Sequence, residues 1–212
     1  IRQAAGLDFA ILGEEERCNC EAARRLGNEY LYQAATQEII ETLRQYRFNR
    51  ILTICPHCFN TFADEYPAFG AEFEVVHHAT LIAELIDQGK LRLKDGASQR
   101  MAFHDSCYLA RYHGIIDAPR RVVAAAGYTV ATVEREGLKG FCCGAGGGRM
   151  WLEETIGEKI NNERTKELLS VKPETIGAAC PFCITMLTDG VKASGVETPV
   201  KDIAEMVAEA LT

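Results

Sequence analysis

Ile51-Leu52-Thr53-Ile54-Cys55-Pro56-His57-Cys58 and Ile176-Gly177-Ala178-Ala179-Cys180-Pro181-Phe182-Cys183 stand 125 residues apart in a chain of 212. In each, an apolar run of strand type ends on Cys-Pro-x-Cys, and a proline there suits the first turn of a helix. The pair predicts one strand-turn-helix unit built twice. The match extends outward. Ala4-Ala5-Gly6 pairs with Ala125-Ala126-Gly127. Glu74-Val75-Val76 followed by Leu81-Ile82-Ala83-Glu84-Leu85 pairs with Pro199-Val200 followed by Ile203-Ala204-Glu205-Met206-Val207. Alternating strands and helices in both copies predict an α/β fold of two pseudo-symmetric, Rossmann-like units, each a mostly parallel sheet with helices on both faces.

The units are expected at 1–95 and 96–212, joined by the polar, glycine-bearing stretch 89–98. Ile1 to Ala5 suit the last turn of a helix ended by Gly6. Strands are predicted at 7–12, 50–54, 73–76, 100–103, 128–133 and 175–179, with a strand remnant at Val200. Helices are predicted at 22–46, 119–126, 150–169 and 203–211, after each Cys-Pro-x-Cys loop, and through 85–89. Leu26, Tyr30, Leu31, Ala34, Ile39, Ile40 and Leu43 give the 22–46 helix an apolar face. The second copy opens on the 100–103 strand, which delivers Cys107. The first has no counterpart, so it is expected to lack its opening strand and its equivalent of Cys107.

The composition is that of a globular protein, 47% hydrophobic and 25% charged. A net charge of −7 without any Lys/Arg run argues against a nucleic-acid partner. No apolar run is long enough to span a membrane. The first residue is Ile1 and no signal peptide follows, so the chain is expected to be a piece of a longer or processed polypeptide. Its nine cysteines lie in tight clumps rather than spread as a disulfide framework. That points to a reducing compartment and metal-bound thiolates.

Cys107, Cys142, Cys143, Cys180 and Cys183 form the complete set, and Cys18, Cys20, Cys55 and Cys58 a second, incomplete one. Where a strand ends and a helix begins, unpaired N–H groups stabilise thiolates. Adjacent Cys142 and Cys143 ill suit one tetrahedral zinc ion, but they can bind different irons of a cluster. Gly144, Gly146, Gly147 and Gly148 let backbone N–H groups approach cluster sulfurs. His104 is placed to hydrogen-bond a sulfur or relay a proton, or else to cap a loop. His57 is a candidate outer hydrogen-bond donor. One of His77 and His78 is expected to point outward and the other into a cavity, while His113 is expected on the surface. Arg149 could balance cluster charge or meet a partner. Trp151 suits core or interface, and Glu153, Glu154 and Glu163 suit a solvated face. No Ser-His-Asp order, paired carboxylates or phosphate loop is found, and no catalytic residue is assigned. Two alternatives remain open: a zinc-binding structural module, and a thiol–disulfide oxidoreductase using Cys55-Pro56-His57-Cys58.

The order Cys107, Cys142-Cys143-Gly144, Cys180-Pro181-Phe182-Cys183 resembles the signature of the cysteine-rich (CCG) domain family of heterodisulfide reductase B and D subunits and related iron–sulfur subunits. The resemblance covers nearly the whole chain. It implies a [4Fe–4S] cluster, of the noncubane kind where all five thiolates are present. The first unit departs from it, with Cys18-Asn19-Cys20 in place of Cys-Cys-Gly, so a [4Fe–4S] cluster or zinc is expected there. Arg24-Arg25-Leu26-Gly27-Asn28-Glu29, the Cys55 to Thr61 loop and Gly144 to Trp151 are similar to a branch of membrane-bound iron–sulfur oxidoreductases. That likeness implies electron transfer between a flavoprotein, such as electron-transfer flavoprotein, and a quinone or disulfide acceptor. It also implies a quinone-linked membrane domain upstream in the same polypeptide and a place on the cytoplasmic face of the membrane.

Overall fold

Residues 1–94 and 98–212 are described by a computed structural model. The first half runs α1 (Arg2–Ala5), α2 (Glu21–Arg25), α3 (Glu29–Leu43), β1 (Ile51–Thr53), α4 (Pro56–Asn60), β2 (Val75–His77) and α5 (His78–Asp87). The second runs β3 (Gln99–His104), α6 (Asp117–Ala125), β4 (Tyr128–Ala131), α7 (Ile160–Ser170), β5 (Thr175–Ala178), α8 (Pro181–Ala193), β6 (Val200–Asp202) and α9 (Ile203–Ala210). The strands form a two-stranded sheet, β1-β2, and a four-stranded sheet, β4-β3-β5-β6. Every pairing within them is parallel. The fold is α/β, as the alternation predicts. Ile51 pairs with Val75 and Ile176 with Val200, so the 125-residue offset holds in the strand register.

Parallel strands buried on both faces carry continuous apolar runs, and β5 is buried at every residue. One face of the four-stranded sheet joins a core that spans both halves: Val76, Ile82 and Leu85 with Met101, Phe103, Val122, Ile203 and Met206. Helix α5 packs against α6 and α9 there. The other face holds Ala102, Leu168, Ile176 and Leu187 together with Cys143, Cys180 and Cys183. His78 Nε2, at the start of α5, lies 3.0 Å from Asp202 Oδ1 at the cap of α9, which ties the halves again. The expected boundary between residues 95 and 96 lies outside the described residues, as does part of the 89–98 linker.

Four expectations need correction. Residues 7–12 form no strand. Their counterpart, β4, pairs only with β3, and nothing among the described residues stands beside β1 in the role of β3. An apolar run without a ladder partner leaves its backbone groups to water and does not become a strand. For the same reason Leu52 and Ile54 are 46% and 60% exposed on a run that looks buried. The 22–46 helix is broken between α2 and α3, where Gly27 takes φ +92° and Asn28 caps α3 by accepting from Leu31 N at 3.1 Å. Ile39, Ile40 and Leu43 are buried with Tyr32 and Thr36, whereas Leu26, Tyr30 and Leu31 are exposed. Lastly, only 160–170 of the 150–169 helix is α-helical. Arg149–Trp151 is a 3-10 turn, and Glu154 accepts from Ile160 N at 2.9 Å, satisfying one of the free donors at the start of α7.

Candidate metal centre

In an open parallel sheet, ligands gather beyond the carboxyl ends of strands whose connections run in opposite directions. Strands β3 and β5 are such a pair, since β3 connects outward to β4 and β5 to β6. Cys107 lies three residues beyond β3 and opens a π-helical turn, Tyr108–Tyr112. Cys180 follows β5 as the N-cap of α8, with Pro181 in the first turn. Cys55 follows β1 as the N-cap of α4, with Pro56 likewise placed. The two turns share one bond: Phe59 N donates to Cys55 O at 2.9 Å and Ile184 N to Cys180 O at 3.0 Å.

Chains of thiol neighbours join these turns. Cys142 has Cys107 and Cys143 beside it. Cys143 meets Cys183, which meets Cys180. Cys180 then meets Cys55 of the first unit, which meets Cys58. All nine cysteines are free. Cys107 and Cys143 donate to Cys142 and hold it down to about 2. Cys180 and Cys58 do the same for Cys55, also to about 2. The donors are pushed the other way: Cys143 rises to about 12 under the influence of Cys142. Cys107 and Cys58 are raised by the thiolates they serve and by burial. Cys183 is raised by its Cys143 and Cys180 neighbours and by burial. Cys180 rises despite the lowering effect of Cys183, because Cys55 and burial outweigh it. Cys142 and Cys55 are thus the thiols whose ionised form is favoured by their neighbours, and a second negative charge in this buried band needs a cation beside it.

The repeat aligns the first unit with the second at atomic level. Cys20 N donates to Cys18 Sγ at 3.4 Å, as Gly144 N donates to Cys142 Sγ at 3.3 Å. Cys18 therefore matches Cys142, buried Asn19 matches buried Cys143, and Cys20 stands where the second unit has glycine. Gly144 takes φ +92° and Cys20 takes φ +55°. A residue with a Cβ in that left-handed region costs about 1–2 kcal/mol, and strain of this kind collects at functional positions. Replacing Cys20 by glycine should stabilise the metal-free protein by up to about 1 kcal/mol in urea unfolding while lowering the metal content of the first site. Full metal retention would make Cys20 a bystander.

His104 ends β3 and is 1% exposed. Its ring nitrogen and the sulfurs of Cys143 and Cys183 lie within 4.8 Å of one another. Burial, and then Arg164, push it down to about 3, so the ring is neutral. Asp105 is structural: Arg120 Nη2 and Gly137 N each donate to its Oδ2 at 2.7 Å, pinning the turn that carries Cys107. His57 is buried between the units, its ring 4.2 Å from Tyr108 and 4.9 Å from Phe182. Its Nδ1 stands 3.3 Å from Glu21 Oε2. Glu21 also accepts from Arg25 Nε at 3.0 Å and from Tyr108 Oη at 3.2 Å. Burial alone would raise Glu21, but His57 and Arg25 hold it below the usual carboxylate range.

Among the glycines, Gly146 lies against His57, and Gly147 and Gly148 take φ +68° and +74°. An added Cβ at Gly144 would come within 3.2 Å of Ile160. Trp151 is 60% exposed and packs edge-on against Phe182 of the cysteine loop. Arg149 is exposed and pairs with Glu154, which is not on a solvated face. His77 and His78 are both buried, against the expectation that one points outward, and His113 lies against Phe59 and Asn60. Glu21, Tyr108 and Arg164 were not singled out by sequence. Charged residues in helical stretches usually face water, and only the repeat offset marks Arg164 as lying at a core position.

The profile of the cysteine-rich domain, CCG, matches residues 1–63 and 101–188. The chain belongs to this family. Its CCG relatives include the EtfAB:quinone oxidoreductase of Syntrophomonas wolfei, 44% identical over 98% of this chain and 30% of that protein. The "Probable iron-sulfur-binding oxidoreductase FadF" of Bacillus subtilis is 45% identical over 98% of this chain and 30% of its own length. One component of the dihydromethanophenazine:CoB–CoM heterodisulfide reductase of Methanosarcina mazei is 33% identical over 97% of this chain and 52% of its own length. The chain thus spans about a third to a half of these relatives. Among its described residues, no helix is long and apolar enough to cross a membrane.

Proposed function

We propose that this CCG chain is an iron–sulfur electron-transfer and reductase module. In this reading Cys107, Cys142, Cys143, Cys180 and Cys183 hold a noncubane [4Fe–4S] cluster. Cys18, Cys20, Cys55 and Cys58 hold a [4Fe–4S] cluster or zinc. The observation that carries it is the continuous thiol band from Cys58 to Cys107, which crosses from one unit to the other at Cys55 and Cys180. Sulfur donors without a carboxylate among them suit iron–sulfur clusters. A bound cluster supplies one-electron redox chemistry. The chain's own residues set its surroundings: Gly144 N–H directs a bond at Cys142 sulfur, and Asp105 fixes the turn bearing Cys107. Trp151 packs edge-on against Phe182 of the Cys-Pro-Phe-Cys loop.

The donor in this proposal is a flavoprotein, such as electron-transfer flavoprotein, and the acceptor a quinone or a disulfide. A quinone acceptor places the module beside a membrane domain of the same polypeptide, on the cytoplasmic face. The names of the Syntrophomonas and Methanosarcina relatives support this assignment. The test is iron and acid-labile sulfide content with electron paramagnetic resonance on anaerobically prepared protein. Iron and sulfide in near-equal amounts, with absorption at about 400 nm, are expected. Zinc without sulfide in both sites would overturn the reading.

A second reading, thiol–disulfide exchange at Cys55 and Cys58, draws on the low Cys55 beside a protonated Cys58. It requires that Cys55→Ser abolish reduction of a protein disulfide while leaving cluster content intact.

A further inference from the structure

His104 and Arg164 form a buried pair beside the second site. Arg164 lies on α7 and is fully buried. Its Nε donates to His104 Nδ1 at 3.1 Å. Its Nη1 donates to Arg135 O at 2.9 Å and to Glu167 Oε2 at 2.8 Å. Guanidinium is a donor only. His104 Nδ1 must therefore offer its lone pair, and the neutral ring carries its proton on Nε2. That Nε2 is buried and finds no partner among the protein groups. A buried N–H without an acceptor is costly, and a ring nitrogen of His104 lies within 4.8 Å of the sulfurs of Cys143 and Cys183.

The repeat gives an independent observation. At the 125-residue offset, Thr36, Ile39, Ile40 and Leu43 of α3 align with Asn161, Arg164, Thr165 and Leu168 of α7. All eight are buried. A position filled by isoleucine in one unit is filled by arginine in the other. Burying a guanidinium where an aliphatic side chain serves the packing is unfavourable unless its bonds have a use. The use is specific to the unit with five thiols.

We infer that Arg164 is a positioning residue that fixes His104 as an Nε2–H donor to sulfur at the second site, and bars it from acting as a metal ligand. Ligation through Nε2 would put a proton on Nδ1, facing the Arg164 N–H head-on. An N–H bond to sulfur stabilises the added negative charge of the reduced state and raises the midpoint potential. The inference rests on the iron–sulfur reading of this site, and its test separates the two.

The full-length, iron-loaded protein labelled with 15N-histidine is measured by pulsed paramagnetic resonance and redox titration. Expected is a weak nitrogen coupling, that of a hydrogen-bonded rather than iron-bonded nitrogen. His104→Leu, measured in its iron-loaded fraction, loses this coupling and shifts the midpoint potential downward. His104→Gln, which keeps an N–H donor, recovers part of the shift. Arg164→Met shifts the potential in the same direction by less. A strong, directly bonded coupling, or a potential unmoved in iron-loaded His104→Leu, would overturn the inference. Protein that carries no iron or sulfide defeats the iron–sulfur reading alone. The His104 tautomer is then read by 15N chemical shift, where a proton on Nδ1 overturns the inference and one on Nε2 upholds it.

Discussion

On the proposed iron–sulfur reading, Cys142→Ser is expected to remove iron from the second site while the polypeptide keeps its fold. Cys142 is the middle member of the Cys107–Cys142–Cys143 run and the thiol of its unit whose ionised form is favoured by its neighbours. Its sulfur accepts from Gly144 N at 3.3 Å. A serine hydroxyl stays protonated at neutral pH and is a hard donor, unsuited to iron of a cluster. Loss of an outer hydrogen-bond partner at a metal site costs roughly 10–100-fold in affinity or activity, and loss of a ligand exceeds that. Cys142 is half-buried and outside the packed core, so unfolding of the metal-free variant should move by less than about 1 kcal/mol. The second-site resonance signal should vanish, with any first-site metal retained. A variant with its full iron complement would remove Cys142 from the ligand set.

The parts of this chain legible in its sequence are those that depend on local pattern. Both Cys-Pro-x-Cys loops, the strands that feed them and the helices that follow can be read directly, because strand end, N-cap and proline are set within a few residues. What failed depended on distant partners. Leu7 to Leu12 has strand composition, yet a strand exists only as part of a ladder. Leu26 lies beyond the Gly27 break, and Tyr30, though on α3 with Ile39, stands nine residues before it, about half a turn round the helix on the exposed side. At the site, the cysteines announce themselves by clustering. Glu21, Tyr108 and Arg164 do not, since each gains its role from a group 36 to 87 residues away or more deeply buried than its type suggests. Arg164 could have been found by carrying the 125-residue offset through the helices, where it falls opposite Ile39.

Acid should destabilise the metal-free protein through two histidines rather than through its carboxylates alone. His77 is fully buried and pushed down to about 3 by burial, and next by His78. Its Nδ1 accepts from Ala79 N at 3.3 Å as the cap of α5, a role only the neutral ring fills. His104 is pushed down to about 3 by burial and Arg164. Both folded values lie below the unfolded value of about 6.5. The unfolded chain therefore binds more protons between these limits, so stability is complete above about pH 6.5 and falls as pH drops toward about 3. Each ring contributes roughly 1.4 kcal/mol per pH unit in that window, so together they remove about 4 kcal/mol between pH 6.5 and 5. The repeat supplies the control. Asp202 occupies the position of His77 at the cap of α9, where its carboxylate accepts from Ala204 N at 2.8 Å. His77→Asn keeps an acceptor at that cap and cannot titrate. Urea unfolding at pH 7 and pH 5 should show about half the acid-dependent loss in His77→Asn that the parent shows. An unchanged loss would place the acid sensitivity elsewhere, and a lower stability at both values by the same amount would mean that His77 serves only as a cap.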